Sequence, residues 1–429
     1  MEVLARLSLV ALLVFAVVCP AVADTDIGVF GQVRMRVEAD GRNFDKSATA
    51  LNHADMRTRM VLEAIVDGNA HTLIQFQDSR RAGEDGLSGT LNYGKLGDVH
   101  QAWLKLDNLF GKGWGTKGGK FEFALGNERV FGPIDWHNVG RSWQGLMFWY
   151  DHAKVNIMPF WLKRVELNDS SYNRDFDIFG VSANIKDLNW ELFATYEYNA
   201  DSTDLTTNKL DRISMGTYCK QEYNHFDFEL NGVFQFGNSA SPDTVFGLAP
   251  EDTTINTIEL DISAYMFTFE VGYSVPGAAN ARVAAGIDYT SGDSDENDDK
   301  SKAYDNLYYT NHKFRGYMDY FTKLRLAGKR YENAGLMDLM LRGEFDPIPG
   351  WTVKGDLHYF STAQDYLSLL DSRLTKDVGF ELDLTVSTTR VAGVNLTTGV
   401  SMFLPNEAFA GITDPDPSFW GYSMATVNF

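Results

Sequence analysis

The feature that most constrains this chain is the rhythm of its connections. Period-two alternation predicts strands near 27–38, 55–66, 70–80, 97–107, 120–127, 143–151, 153–163, 175–185, 188–199, 210–220, 223–236, 258–275, 281–291, 334–345, 351–361, 376–388, 393–403 and 418–429. That makes eighteen, an even number. Every second link between them is short, as at Asp67-Gly68-Asn69, His152, Lys186-Asp187, Gln221-Glu222 and Arg390 to Ala392. The intervening links are longer and polar, up to the stretch from Gly292 to Asn333. Short turns at one end and long loops at the other are the pattern of strands that cross a membrane and return. One link breaks the rhythm: Asn108 to Gly119 falls where a short turn belongs.

Alternation within the strands agrees. From Ile27 to Val37 the odd positions carry Ile27, Val29, Val33, Met35 and Val37, while Arg34, Arg36 and Glu38 face the other way. The segments 188–198 and 226–236 repeat this, with Trp190, Leu192, Phe228 and Phe234 against Glu191, Glu197, Glu229 and Gln235. A soluble sandwich alternates too, so the rhythm of the links carries the distinction. No segment approaches 18 consecutive apolar residues, which excludes ordinary transmembrane helices. The expected fold is all-β: a transmembrane antiparallel β-barrel of 18 strands with short periplasmic turns and long outer loops.

Residues 1–23 read as a signal peptide. Arg6 precedes the apolar run Leu7 to Cys19, and Ala21-Val22-Ala23 is a small-x-small cleavage site. Residues 24–429 are then one barrel domain, because a closed sheet cannot be divided. Cleavage leaves Cys219 alone, with no intrachain disulfide to form. A formal charge of -20 argues against nucleic acid as a partner. The chain closes on Phe429, which among outer-membrane barrels looks like the signal read by the barrel-assembly machinery. Lipid and lipopolysaccharide of the cell outer membrane are the other expected partners.

Leu125 to Tyr150 reads LGNERVFGPIDWHNVGRSWQGLMFWY, and Leu307 to Tyr320 reads LYYTNHKFRGYMDY after Thr290-Ser291-Gly292-Asp293. With Asp356 to Phe360 (DLHYF) and Val378 to Leu384 (VGFELDL), these stretches resemble the alginate-export family of outer-membrane proteins. The resemblance covers most of the mature chain and implies an 18-strand barrel and passive, porin-like transport of an anionic polysaccharide. Where the family carries a Gly-Arg-Gln stretch, this chain has Glu122-Phe123-Ala124, which weighs against alginate itself.

Alternation points Arg34, Arg36, Arg57, Arg59, Lys105 and Lys354 into the lumen, with Arg129 and Arg141 near the third outer loop. Such cations form either an anion constriction or an ion-pair network with Glu38, Glu122, Glu197, Glu381 and Asp383, which face the same way. Within the longest loop, Asn311, His312, Lys313, Arg315 and Tyr317 are candidates to meet solute if that loop folds into the mouth. Asp293, Asp295, Asn297 and Asp299 alternate like calcium ligands but lack the glycine and bidentate glutamate of a calcium loop, so a solvated acidic loop is the competing reading. Trp136, Trp143, Trp149, Tyr150 and Trp420 are expected at the interfacial girdles. No Ser/His/Asp grouping or phosphate loop emerges, so no enzyme and no obligate cofactor are expected. The alternatives to a saccharide channel are a general diffusion porin and a barrel whose loops alone carry enzymatic or surface-binding function.

Overall fold

The computed structural model describes residues 24–45, 47–83, 98–166, 175–199, 209–277, except 246–253, then 279–295, 298–321 and 334–429. The segment expected to be a signal peptide lies outside them. The strands are β1 (Thr25–Gly41), β2 (Leu51–Val66), β3 (Ala70–Arg81), β4 (Asp98–Asp107), β5 (Trp114–Phe121), β6 (Trp143–Asp151), β7 (Val155–Val165), β8 (Phe176–Ile185), β9 (Trp190–Asn199), β10 (Lys209–Tyr223), β11 (Phe226–Val245), β12 (Thr254–Ser274), β13 (Arg282–Thr290), β14 (Lys300–Ser301), β15 (Leu336–Phe345), β16 (Trp351–Leu367), β17 (Leu374–Thr388), β18 (Val394–Pro405) and β19 (Ser418–Asn428). Each wall strand pairs antiparallel with its neighbours in sequence, and β1 pairs with both β2 and β19, so the sheet closes. The wall is an 18-strand barrel. The two-residue β14 stands outside it, parallel to β12 within a long connection.

The irregular link disappears in the structure because β5 starts early. That strand begins at Trp114, six residues before its expected start, so the link is 108–113 and the short-turn rhythm holds. Residues 122–127, expected as strand, instead begin a loop. The sequence misled because Phe121, Phe123 and Leu125 alternate with polar residues in the loop as a strand would; they are buried inside the barrel. Among the short turns, Asp67 and Gly68 both have positive φ (48° and 66°), the conformation a two-residue hairpin turn demands and Asp-Gly supplies.

The barrel is inside-out relative to a soluble protein. Ile27, Val29, Phe234, Leu341 and Val400 are exposed, whereas Arg57, Glu197, Asp338 and Glu381 are fully buried. Charged groups inside and an apolar outer band suit a wall bathed in hydrocarbon, where every backbone polar group is satisfied by the closed ladder. The lumen nevertheless contains two apolar clusters. One gathers Phe121, Phe123, Phe131, Trp143, Phe160, Leu162, Ile178 and Tyr308; the other Met318, Phe321, Phe360, Tyr366, Phe403 and Trp420. Glycines make room for the first: the ring of Phe160 lies on Gly180, and that of Phe193 on Gly216, where a Cβ would overlap it.

Trp136, Trp143 and Trp420 are therefore not girdle residues. Trp143 and Trp420 are buried on the lumenal side, and Trp136 stacks on His312. Trp149 lies under the Lys105 ammonium. Tyr150, packed on the exposed Trp114 at 4.6 Å, fits a girdle at the short-turn end. Composition cannot separate these cases, since an amphipathic ring suits a membrane interface and a wet lumen equally.

Candidate solute constriction

Two loops fold into the barrel and join. The 122–142 loop leaves β5 and lays Phe123, Val130 and Phe131 against Phe160 and Trp143 of the wall. The second runs from Lys302 to Phe321 between β14 and β15. Phe131 and Tyr308 form a parallel bridge. Gly132 N donates to Tyr308 O, Tyr308 N to Val130 O and Thr310 N to Glu128 O, each at 2.9 Å. The Arg141 guanidinium also donates to Tyr308 O. Trp136 and His312 stack at 3.9 Å and 12°. These ties make the two loops one body across the lumen.

Charged wall residues hold that body. Glu197 of β9 accepts from the Tyr308 hydroxyl (2.8 Å) and from Arg212 (2.7 Å), which also reaches Asp305 (2.8 Å). Asp288 of β13 accepts from Arg129 of the first loop and from Arg315 of the second (3.0 Å), joining both loops to the wall at one buried carboxylate. On β17, Glu381 and Asp383 accept from the backbone N–H groups of Met318 (2.8 Å) and Tyr317 (3.2 Å).

The arc from β1 to β3 is different, because its groups are cations. Arg34 donates to the Asp135 carbonyl (2.7 Å), and Arg36 to the Trp136 carbonyl (2.7 Å). Arg57 lies 2.9 Å and Arg59 3.3 Å from Asp135 Oδ1, with Arg34 4.0 Å from Oδ2. Gln32 accepts from Arg57 (2.6 Å) and Gln77 from Arg59 (2.7 Å), fixing the two forks from the wall side. The three arginines expose 0–8 % of their side chains, while Asp135 exposes 60 % of its own. Burial alone would raise the Asp135 pKa, but Arg57, Arg59 and Arg34 outweigh it and hold the carboxyl below its ordinary range. Burial, then Arg36 and Arg34, push the neighbouring His137 imidazole down.

Open space flanks this cluster. Towards the long loops lies a cavity of about 720 Å³ bordered by Arg36, Glu38, His53, Arg81, Trp136 and Asn311. Towards the short turns lies one of about 470 Å³ bordered by Gln32, Arg59, Gln75 and Asn428. The arginines thus stand between two chambers along one arc of the wall.

The candidate residues fall into distinct environments. Arg34, Arg57 and Arg59 converge, and Arg36 sits beside them, paired with Glu38 at 2.6 Å. Lys105 pairs with Asp107 and Lys354 with Glu344, each at 2.7 Å and near the short turns, away from the inserted loops. Arg129, Arg141 and Arg315 are spent on loop docking. His312 is buried against Trp136 and contacts Asp319 at 3.0 Å, Lys313 donates to the Asn127 carbonyl (3.0 Å), and Tyr317 packs on His312. Asn311 alone of the mouth-loop candidates borders the outer chamber. In the acidic stretch, the Asp293 carboxylate accepts from the backbone N–H groups of Asp295 (3.1 Å) and Lys302 (3.0 Å). Asp299 is exposed, and Asn297 lies outside the described residues.

The sequence does not single out Asp135, Gln77 or His100, and the alternation of β1 gives Gln32 only as an inward-facing residue. Period two shows which wall residues face inward, but Asp135 belongs to a loop with no period. Its one signal was its place inside the motif stretch. Glu122, the acidic departure, lies 3.4 Å from Arg59 and 2.8 Å from His100, so it tempers the same cluster.

A family profile described as alginate export matches residues 25–416. No curated protein sequence matches. Solved structures similar in fold include a BenF-like porin from Pseudomonas fluorescens Pf-5, at TM-score 0.55 and 12% identity over 94% of this chain and 98% of that one. OccK9 (OpdG) of Pseudomonas aeruginosa aligns at 0.56 and 11%, over 95% and 98%. OccK11 (OpdR) of the same organism aligns at 0.54 and 11%, over 95% and 96%.

Proposed function

The chain belongs to the alginate-export family, a porin-like outer-membrane channel, and from that premise we propose that it passes anionic, carboxylate-bearing saccharides along the β1–β3 arc. One observation carries the reading: Arg34, Arg57 and Arg59 converge between two chambers on a carboxylate, that of Asp135. Planar guanidinium forks match carboxylates two hydrogen bonds at a time. Held in a narrow, partly dehydrated space, they also lower the barrier to an anion and raise it to a cation. With no nucleotide-binding motif in the sequence, flow follows the concentration gradient. The short turns are assigned to the periplasm and the long loops to the exterior, as in barrels of this kind.

A general diffusion porin is the second reading, favoured by the number of lumenal cations already paired, among them Arg36, Arg129 and Arg212. Reversal potentials across a planar bilayer under a KCl gradient separate the two. The saccharide reading expects anion preference that falls in the Arg57→Gln/Arg59→Gln double variant, and uronate oligomers that block chloride current. Absence of both anion preference and block would leave the general porin. Absence of any conductance would remove both readings.

A further inference from the structure

A group of side chains at the outer chamber stands beside the Asp135 cluster and is joined to it through Arg36. Glu38 on β1 and His53 on β2 are direct cross-strand partners, and Asp55 is two residues beyond His53 on the same face. In a pleated sheet, an i, i+2 pair and the residue opposite one of them point the same way from a rigid frame. Here that register brings an imidazole and two carboxylates together, with one ligand atom from each lying within 4.8 Å of the others.

The orientation of the carboxylates is informative. Glu38 gives Oε1 to Arg36 (2.6 Å) and Asp55 gives Oδ1 to Arg81 (3.1 Å). Their other oxygens, Oε2 and Oδ2, each face His53 Nε2 at 3.7 Å, too long for a hydrogen bond. The Trp420 indole N–H donates to Glu38 Oε2 at 3.1 Å and holds its orientation. Donors on the far side of carboxylates that share an inner space are how ligating carboxylates are oriented. With His53 Nε2 3.7 Å from each oxygen and the ligand atoms no more than 4.8 Å apart, a point equidistant from the three lies about 2.4 Å or less from each, a few tenths of an ångström beyond Zn–N and Zn–O bonds. Small side-chain shifts close that gap, and the chamber of about 720 Å³ leaves room for water or solute at the remaining positions.

We propose that Glu38, His53 and Asp55 form a binding site for a divalent transition-metal ion, open to the outer chamber. One imidazole and two carboxylates suit borderline ions such as Zn²⁺ better than Ca²⁺ or Mg²⁺, which take oxygen ligands alone. Arg36, whose Nη2 is 3.7 Å from Asp55 Oδ2, opposes the ion's charge and weakens the site. A bound ion adds positive charge just outside the arginine cluster and offers its free positions to an oxygen ligand from passing solute.

The test uses the full-length barrel purified in detergent after chelation. Titration with Zn²⁺ by calorimetry is expected to show one saturable site, and Co²⁺ to give the visible absorption of a low-coordinate site with nitrogen and oxygen ligands. His53→Gln and Glu38→Gln are each expected to weaken binding at least tenfold with the folded barrel retained, judged by heat-modifiable gel migration. Asp107→Asn, which alters the separate contact of Asp107 with His71, is the control expected to bind normally. No saturable binding, or binding unchanged in both His53→Gln and Glu38→Gln, overturns the site. Should Glu38→Gln fail to fold, His53→Gln decides alone, since among the described residues His53 makes only long ionic contacts with its neighbours.

Discussion

Replacing Asp135 by Asn removes one negative charge from the arginine cluster with little change of shape. At 2.9 and 3.3 Å, and at the effective dielectric of about 20 suited to such sites, the gross attractions to Arg57 and Arg59 are about 5 to 6 kcal/mol each. Those figures are ceilings. Asp135 exposes 60 % of its side chain, and pairs screened to that extent contribute about 1 kcal/mol net. Counting Glu122 beside Arg59, three cations and two anions meet here, so the substitution raises the local formal charge from +1 to +2. A solute carboxylate no longer competes with the protein's own, and a gain of about 1.4 kcal/mol is tenfold in affinity. The assay is block of chloride current by galacturonate in a planar bilayer, with reversal potential measured alongside. The expected result is a blocking constant about tenfold lower and a shift towards anion selectivity. The melting temperature in detergent should move by only a few degrees, because the Asp135 carbonyl still accepts from Arg34. Unchanged block in a folded Asp135→Asn barrel, or a shift towards cation selectivity, would refute the idea that Asp135 occupies a solute carboxylate site.

Three further outcomes are expected. Asp288→Asn strips the counter-charge from buried Arg129 and Arg315, and losing one partner of a buried pair costs about 3–5 kcal/mol. The inserted loops should loosen, seen as faster protease cleavage within 302–321 and a larger single-channel conductance; unaltered cleavage would count against their anchoring there. Gly316 has φ 80°, and a Cβ would collide with the Glu381 carboxylate, so Gly316→Ala should weaken loop docking by about 1–3 kcal/mol, read in the same cleavage assay. His137 has a depressed pKa, with Nδ1 accepting from Val139 N (3.2 Å), so its neutral form is favoured by folding. Its contribution is present above the ordinary histidine pKa of about 6.5 and is lost as pH falls from there through the depressed folded value. His137→Gln should therefore shrink the drop in melting temperature between pH 7.5 and 5.0. The Asp135 contribution, held by a carboxyl below its usual range, persists through that window and goes only under strong acid.

How much of this was legible beforehand differs by element. Ile27, Val29, Met35 and Val37 against Arg34 and Arg36 announced both faces of β1, because a strand's side chains alternate whatever the rest of the chain does. The short-turn rhythm announced closure into a barrel. The start of β5 was misplaced because alternating Phe121, Phe123 and Leu125 imitate a strand, and only a lumen able to receive them shows that they leave the wall. Chemistry alone places Trp136, Trp143 and Trp420 at the membrane interface, but the lumen holds them.

The sequence by itself determined most of the strands, their facing and the membrane-spanning class, since each depends on neighbours two residues away or on link length. Tertiary structure alone decided which charges meet. Arg57 and Asp135 are 78 positions apart, and Arg129 and Asp288 are 159 apart. Period two states that each wall residue points inward but not what it finds there, because that depends on which loops enter the barrel. Entry is settled by contacts such as the Phe131–Tyr308 bridge and the Trp136–His312 stack, which exist only once distant segments share one enclosed space. The channel's walls are thus a local property of the chain, and its constriction is a global one.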